Sequence, residues 1–492
     1  MKFDVEHLDI GTQHPTVLFR RDDAEEVGAH TFDRVQVSWD GKTAVGIVEV
    51  SDELVPSGTV GVTTRLSQVE GPVDVTLAPR PRSVGVIRKK LDDVELEAHE
   101  LRDVVRDVDE DRLSDVELSA YVSAIYTNGL SLAETKALTR AMTDAGERLA
   151  WDTPVVADKH SIGGVAGNRV TPIVVAIVAA AGVTIPKTSS RAVTSPAGTA
   201  DTMEVFCPVD ISLAKIREVV AETNGCVAWG GSVNLSPVDD KIIRAENPLS
   251  LDPHGQVIAS VLSKKHSAGS NHVVIDVPYG EDAKVENLGA ARELAEDFKR
   301  VGEELGMAVE CAITSGDQPI GRGIGPVLEA RDVLETLADD GPQDLKLKAL
   351  RLADILLDVA GADADAATLL ASGAALERFR DIVAAQGGDP EVTVGDLQPG
   401  EHTRTVRAER SGIVTHVSNR LVSDVARRSG APRDKRAGIV LHRSTGETAG
   451  EGDPLFTIHA ENPEKLEDAA DRAANVEAVR VRSRDEALVE RV

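Results

Sequence analysis

KHSIGG at 159–164 and SSRAVTSPAGTADTMEVF at 189–206 decide how this chain is read. Together they supply a cation, Lys159, the hydroxyls of Ser161, Ser189, Ser190, Ser195 and Thr199, and small residues that let backbone N–H groups approach a ligand. An oxyanion needs donors from several directions, and a lysine charge with hydroxyls and amides from two loops can enclose one. Clusters of Gly, Ser and Thr are more often plain turns, so the flanking residues carry the decision. WDTPVVADKHSIGG runs from a short apolar strand into a glycine turn, and Thr171 and Pro172 read as N-cap and first residue of a helix through IVVAIVAAAG. A helix start of this kind aims unpaired N–H groups and the positive dipole end at one place. VTIPKTSSR is a second strand ending in hydroxyls. The two loops read as a phosphate cradle.

Strands and helices alternate from Trp151 to about Leu337, with VVIDVPYG and AVECAIT among the strands and GAARELAEDFKRVGEELG as a helix. This is the pattern of a sheet flanked by helices, with ligand loops at strand ends. Residues 1–83 alternate apolar and polar in short runs such as VQVSWD, AVGIVEV and VDVTL, which predicts a small barrel-like β domain. A helical domain follows over 84–150, completed by about 237–268. VIRKKLDDVELEAHELRDVVRDV, SDVELSAYVSAIYTNG and SLAETKALTRAMTDAG each read as one amphipathic helix, the last two opening with capping boxes, Ser114 with Glu117 and Ser131 with Glu134, and ending near Gly129 and Gly146. The central α/β phosphate-binding domain spans 151–402, helical to about Gln386 in its last part. A C-terminal α+β domain takes 403–492. The expected fold is thus multidomain α/β.

With 492 residues, 41% of them hydrophobic, the chain can bury more than one core. No run approaches a membrane span and MKFDVEHLDIG lacks a signal-peptide apolar region, so a cytoplasmic protein without membrane contact is expected. Cys207, Cys226 and Cys311 form neither a disulfide framework nor a metal-like spacing. Lys and Arg number 54 against 82 Asp and Glu, a formal charge of −28, which would repel nucleic acid. The acids are dispersed and aromatic residues make up only 3%. That composition suits a protein soluble in concentrated salt, and the expectation is of a halophilic enzyme.

Beyond the cradle, NPLSLDPHGQVIASVLSKKHSAGS places Asp252 before a helix that carries Ser260 and Lys264 four residues apart, hence on one face. Asp252 reads either as an N-terminal helix carboxylate or as an acid that protonates a departing base. The second role requires it to keep its proton near neutral pH, through burial or a neighbour such as Glu246. GDQPIGRGIGP at 316–326 matches neither dinucleotide nor P-loop spacing and reads as a tight strand-to-helix turn. His160 and His266 have no convergent partners in the sequence, so no metal and no cofactor is expected.

KHSIGGVAG, IPKTSSRAVTSPAGTADTMEVF, NLSPVDDKIIRAE, ASVLSKK and SGDQPIGRG, in this order, resemble the thymidine/pyrimidine-nucleoside phosphorylase superfamily from about residue 86 to the C-terminus. The closest resemblance is to its archaeal branch, which carries an additional N-terminal domain and acts on AMP. Where nucleoside enzymes have GRGLGHTGGT, this chain has SRAVTSPAGT, and where they have an aromatic residue after GSGA it has Lys284 in YGEDAKV. A nucleotide's 5′-phosphate would account for the added donors and charge. Asp282, two residues before that lysine, is an acid where relatives often have glycine.

The resemblance implies that Gly164, Ser190, Arg191, Ala192, Val193, Thr194, Ser195, Thr199, Ser260 and Lys284 contact AMP, that Lys159, Ser161, Ser189 and Thr199 hold inorganic phosphate, and that Asp252 is the proton donor. Lys264 is a candidate base contact. The base-binding arginine of nucleoside phosphorylases has no clean match, Arg244 in IIRAE being one position off. The implied enzyme is a pentosyltransferase converting AMP, and by extension CMP or UMP, and inorganic phosphate as co-substrate into free base and ribose 1,5-bisphosphate. It would close over its ligands to exclude water, and would be a homodimer or higher homo-oligomer, with the N-terminal domain mediating association beyond a dimer. Three other readings stand beside it. One is a pyrimidine-nucleoside phosphorylase with an appended domain, another a phosphoribosyltransferase that would need magnesium, and the third an assembly protein with an inert central site.

Overall fold

A computed structural model describes residues 1–192, 195–233, 235–249 and 251–483. It divides into two compact units, Met1–Ala145 with Pro237–Ser260, and Gly146–Ser236 with Val261–Val492.

The first unit begins with strands β1 (Lys2–His7), β2 (Thr16–Phe19), β3 (Arg34–Trp39), β4 (Lys42–Val50), β5 (Thr59–Val62) and β6 (Val73–Leu77), and a short helix α1 (Arg21–Val27). They close into a barrel in the order β1-β5-β2-β4-β3-β6, sealed by antiparallel pairing of β1 with β6. Alternation puts Val35, Val37, Val73 and Val75 inside, where Phe3 and Phe19 meet edge to face at 5.6 Å.

Helices α2 (Arg82–Leu91), α3 (Ala98–Asp109), α4 (Asp115–Asn128) and α5 (Leu132–Ala145) follow. The stretch expected as one helix from Val86 to Val108 is therefore two. Asp93 stands in the left-handed region at φ 58°, which ends α2, and α3 restarts where the Glu97 N–H donates to the Glu100 carboxylate at 2.8 Å. Both expected capping boxes are present, with reciprocal bonds between Ser114 and Glu117 and between Ser131 and Glu134. The core of this bundle includes Leu101, Tyr121, Leu138 and Met142, together with Val238 and Ile242 from α9 (Pro237–Glu246), which enters when the chain returns.

The second unit is built on parallel strands. β10 (His272–Tyr279) lies between β7 (Ala157–Ser161) and β11 (Ala308–Ser315), and β8 (Ile185–Ser189) pairs with β9 (Gly225–Trp229). A parallel bridge from Val156 to Thr184 joins the two sets. From β7 the chain proceeds to β8 and β9 on one side, then returns through α10 (His254–Ser267) to place β10 on the other. Such a reversal of strand order is where open α/β sheets bind ligands, beyond the carboxyl ends of the strands.

Helix α6 (Val170–Ala180) follows β7 and is buried along almost its whole length. It starts two residues before the expected Pro172, with Arg169 at the N-cap position. The chain is already turned at Gly167, φ 70°, and Pro172 in the first turn withdraws no intrahelical hydrogen bond. After α7 (Thr199–Met203), α8 (Leu213–Thr223) and α11 (Leu288–Glu304), the loop at 316–326 is more than a turn. Gly323–Ile324 forms strand β12, antiparallel to β15 (Gly438–Leu441). Helices α12 (Pro326–Leu337), α13 (Gln343–Val359), α14 (Ala366–Ala371) and α15 (Ala374–Ala385) lead to a C-terminal segment of two small sheets, β12-β15-β17-β13 and β16-β14-β18. Its strands are β13 (His402–Arg407), β14 (Gly412–Val417), β16 (Thr448–Ala449), β17 (Pro454–Ala460) and β18 (Val479–Arg482), and its helices α16 (Asn419–Arg428) and α17 (Pro463–Ala474). No helix among the described residues is long and apolar enough to cross a membrane.

Candidate active site

The second unit brings most of the expected ligands to the carboxyl ends of β7, β8 and β10. Lys159, on β7, is fully buried and its Nζ lies 3.2 Å from Thr171 Oγ1. Burial lowers its pKa to about 7, with Asp276 pulling the other way and Lys348 and Arg169 adding to the lowering. Ser161, two residues on, donates to Asp276 Oδ2 at 2.7 Å and accepts from Asn168 Nδ2 at 3.2 Å.

Asp276 is the hub of this loop. It sits on β10 directly opposite Ser161, and also takes a hydrogen bond from Thr314 Oγ1 at 2.6 Å and an ion pair from Lys348 Nζ at 3.0 Å. Burial alone would raise its carboxyl, but Lys348, Lys159 and the two hydroxyls hold it below the usual carboxylate range.

A second buried ion cluster lies beside it. Asp158 is 2.9 Å from Lys265 Nζ and 3.5 Å from Lys187 Nζ, and all three side chains are buried. His160 faces this cluster. Burial, then the charges of Lys187, Lys265, Lys159 and Lys264, keep its pKa far below the ordinary histidine value, so the ring is neutral at pH 7.

Ser189 ends β8, and the following loop folds back on α7. Asp201 Oδ2 accepts from Ala192 N at 2.7 Å and Gly198 N at 2.8 Å, pinning both ends of the loop. A side chain at Gly198 would collide with the backbone of Ser190 and Ala192. Ser190 is exposed, and Ser195 Oγ donates to Ala197 O at 3.0 Å. Arg191 has its guanidinium on Glu204 at 2.5 and 2.8 Å and 4.9 Å from the Trp229 ring centroid. Thr199 Oγ1, almost buried, receives Arg169 Nη1 at 3.4 Å, and Arg169 also binds Ala197 O and the buried Glu329. Val193 and Thr194 lie outside the described residues.

Gly164 and Lys284 meet. Gly164 has φ 85°, and a β-carbon there would lie 2.5 Å from the backbone nitrogen of Lys284. The side chain of Lys284 is exposed. Asp282 does not oppose an anion here, because its carboxylate is engaged elsewhere. Ser418 donates to it, and Arg420 and His416 stand 3.6 and 3.8 Å away.

In the first unit, Ser260 donates to the buried Asp239 at 2.9 Å. Asp252 is exposed in the turn before α10, so the burial expected to hold its proton is not present, while Glu246 is buried. Lys264 lies one turn beyond Ser260 on α10 and adds to the positive surroundings of His160.

Asp158, Lys187, Lys265, Asp201, Asp276, Lys348 and Arg169 were not singled out by sequence reasoning. A usable signal existed for Asp276, a charge inside VVIDVPY, a strand whose other residues read as buried.

Comparison with known proteins identifies the domains and the family. Residues 84–146 match a glycosyl transferase family helical bundle domain, 153–376 the α/β domain of that family, and 413–479 a pyrimidine nucleoside phosphorylase C-terminal domain. The solved structure of anthranilate phosphoribosyltransferase from Thermus thermophilus shares the fold at TM-score 0.51 and 19% identity, over 61% of this chain and 98% of that one. The chain is a pentosyltransferase of the glycosyl transferase type. It is 61% identical to AMP phosphorylase of Natronomonas pharaonis over the whole of both chains. It is 45% identical to AMP phosphorylase of Thermococcus kodakarensis over 98% of each. The chain belongs to the AMP phosphorylase family.

Proposed function

We infer that the chain cleaves AMP with inorganic phosphate, giving adenine and ribose 1,5-bisphosphate. Full-length identity to proteins named AMP phosphorylase supports this most strongly, and the meeting of Gly164 with Lys284 beside the Lys159 loop agrees with it. In the reaction the C1′–N bond to the base breaks, an oxygen of inorganic phosphate bonds to C1′, and a proton goes to the base nitrogen. Lys159, Ser161, Ser189 and Thr199 hold the attacking phosphate, and bringing it to C1′ removes an entropic barrier that can reach about 7 to 11 kcal/mol. Gly164, Ser190 to Ser195, Thr199, Ser260 and Lys284 hold the nucleotide, with Lys264 on the base. Asp252 gives the proton, and its exposure without ligand means that this role depends on desolvation when AMP binds.

Ser161 must change partner in this account. Its only O–H is given to Asp276, so to donate to the bound phosphate the hydroxyl has to turn away from that carboxylate. The same reading includes domains at 1–83, 84–150 with 237–268, 151–402 and 403–492, a cytoplasmic homodimer or higher homo-oligomer whose association beyond a dimer runs through the β-barrel, no cofactor, and activity retained at molar KCl.

The test is adenine release. AMP, CMP, UMP and their nucleosides are assayed side by side with and without phosphate, with EDTA present. Adenine formed from AMP in proportion to added phosphate supports the reading, and base release without phosphate, or only from nucleosides, contradicts it.

A further inference from the structure

The C-terminal segment of the second unit reaches into the two loops that carry Gly164 and Lys284. Asn419, the first residue of α16, is 1% exposed. Its Oδ1 accepts from Ala166 N at 3.0 Å, and its Nδ2 donates to Gly316 O at 2.8 Å. Gly316 N in turn donates to Tyr279 O at 2.7 Å, where β10 ends and the turn to Lys284 begins. Its neighbour Ser418, the N-cap of α16, accepts from Leu421 N at 3.2 Å and donates to the carboxylate of Asp282.

Asp282 stands at φ 69°, a left-handed conformation that Asp adopts more readily than most residues with a side chain. Adjacent side chains of α16 therefore bind the Gly164 loop on one side and the Lys284 turn on the other. Ser161 and Lys159, on the sheet itself, are instead held by Asp276 and Thr171.

We propose that Ser418 and Asn419 are positioning residues for the nucleotide's 5′-phosphate, setting the spacing between the Gly164 loop and the Lys284 turn without touching the ligand. The proposal rests on the AMP reading. A phosphate bound by donors from both loops needs them at a fixed separation, and loss of a buried amide that satisfies two backbone groups lets that separation change. Inorganic phosphate, held by Lys159 and Ser161 on β7 itself, does not depend on it.

The experiment measures steady-state kinetics of full-length Ser418→Ala, Ser418→Thr and Asn419→Ala, varying AMP at saturating phosphate and phosphate at saturating AMP, with melting temperatures alongside. Ser418→Ala and Asn419→Ala are expected to raise KM for AMP about tenfold while KM for phosphate stays within about twofold, and Ser418→Thr, which keeps the hydroxyl, is expected to restore the AMP value. If Asn419→Ala fails to fold, the Ser418 pair decides. An unchanged KM for AMP in Ser418→Ala, or equal losses for both substrates, overturns the proposal. Wild type that releases no adenine from AMP would instead overturn the activity on which it rests.

Discussion

Gly164 packs so closely on Lys284 that no side chain fits between them, a β-carbon falling 2.5 Å from the lysine's backbone nitrogen. Backbone segments far apart in sequence are thereby packed together, and the left-handed backbone at Gly164 is part of how they meet.

Gly164→Ala therefore has to move the Lys284 turn as well as bear a strained backbone. A cost of about 1 to 3 kcal/mol in stability is expected from the strain and the clash. KM for AMP should rise more than KM for phosphate. Thermal melting and the two KM values check this, and equal effects on both substrates would show that the contact is not part of the nucleotide site.

Lys159 carries a pH signature. Its pKa falls from an ordinary 10.5 to about 7 because burial penalises the ammonium form. Without ligand it loses its charge as pH rises past 7, so KM for phosphate should climb between about pH 7 and 9. Lys159→Met should give a high KM, raised at least about tenfold, with a flatter profile over the same range. The stability effect has the opposite sign. Between about 7 and 10.5 the unfolded chain binds the proton and the native one does not, so this residue's contribution to stability increases with pH there.

Asp276 behaves in the reverse manner. Its carboxyl is held below the ordinary value, so the stability it contributes is present above about pH 3.9 and is lost as pH falls through the lower native value. Asp276→Asn leaves Lys348 buried without its counter-charge and should cost about 3 to 5 kcal/mol. Adding Lys348→Met should recover part of that. Urea denaturation of the single and double variants measures both, and a cost below about 1 kcal/mol for the single variant would remove Asp276 as the hub of the loop.

Asp252→Asn should lower kcat at least about a hundredfold with little change in AMP affinity, the behaviour of a proton donor. Single-turnover rates and equilibrium binding of AMP separate the two quantities. Unchanged turnover would reject the assignment.

The alternating β module, the two capped helices and the strand-to-glycine-loop pattern around Lys159 were legible because each is local, fixed by hydrophobic period and end residues. The break at Asp92 to Glu97 was missed because the apolar period continues through it, and the left-handed Asp93 and the Glu97–Glu100 cap show it in the structure. The cradle's hydroxyls could be read from sequence. What holds them could not, since Asp276, Lys348, Arg169 and Asn419 come from distant elements and show only as charges or amides in otherwise ordinary segments. Asp282 illustrates the limit well. Read along the chain it opposes the neighbouring lysine, whereas in three dimensions its carboxylate accepts a hydrogen bond from Ser418 and faces Arg420.

The central claim is that two anions are held at once, one by the Lys159 and Ser189 loops and one by Gly164 and the Lys284 turn. A crystal structure of the protein soaked with AMP and sulfate tests it directly. The account predicts sulfate against Ser161 and Ser189 and the 5′-phosphate against Gly164 and Lys284 in the same molecule. A single occupied anion site, or a nucleotide whose 5′-phosphate lies against Ser161, would contradict it.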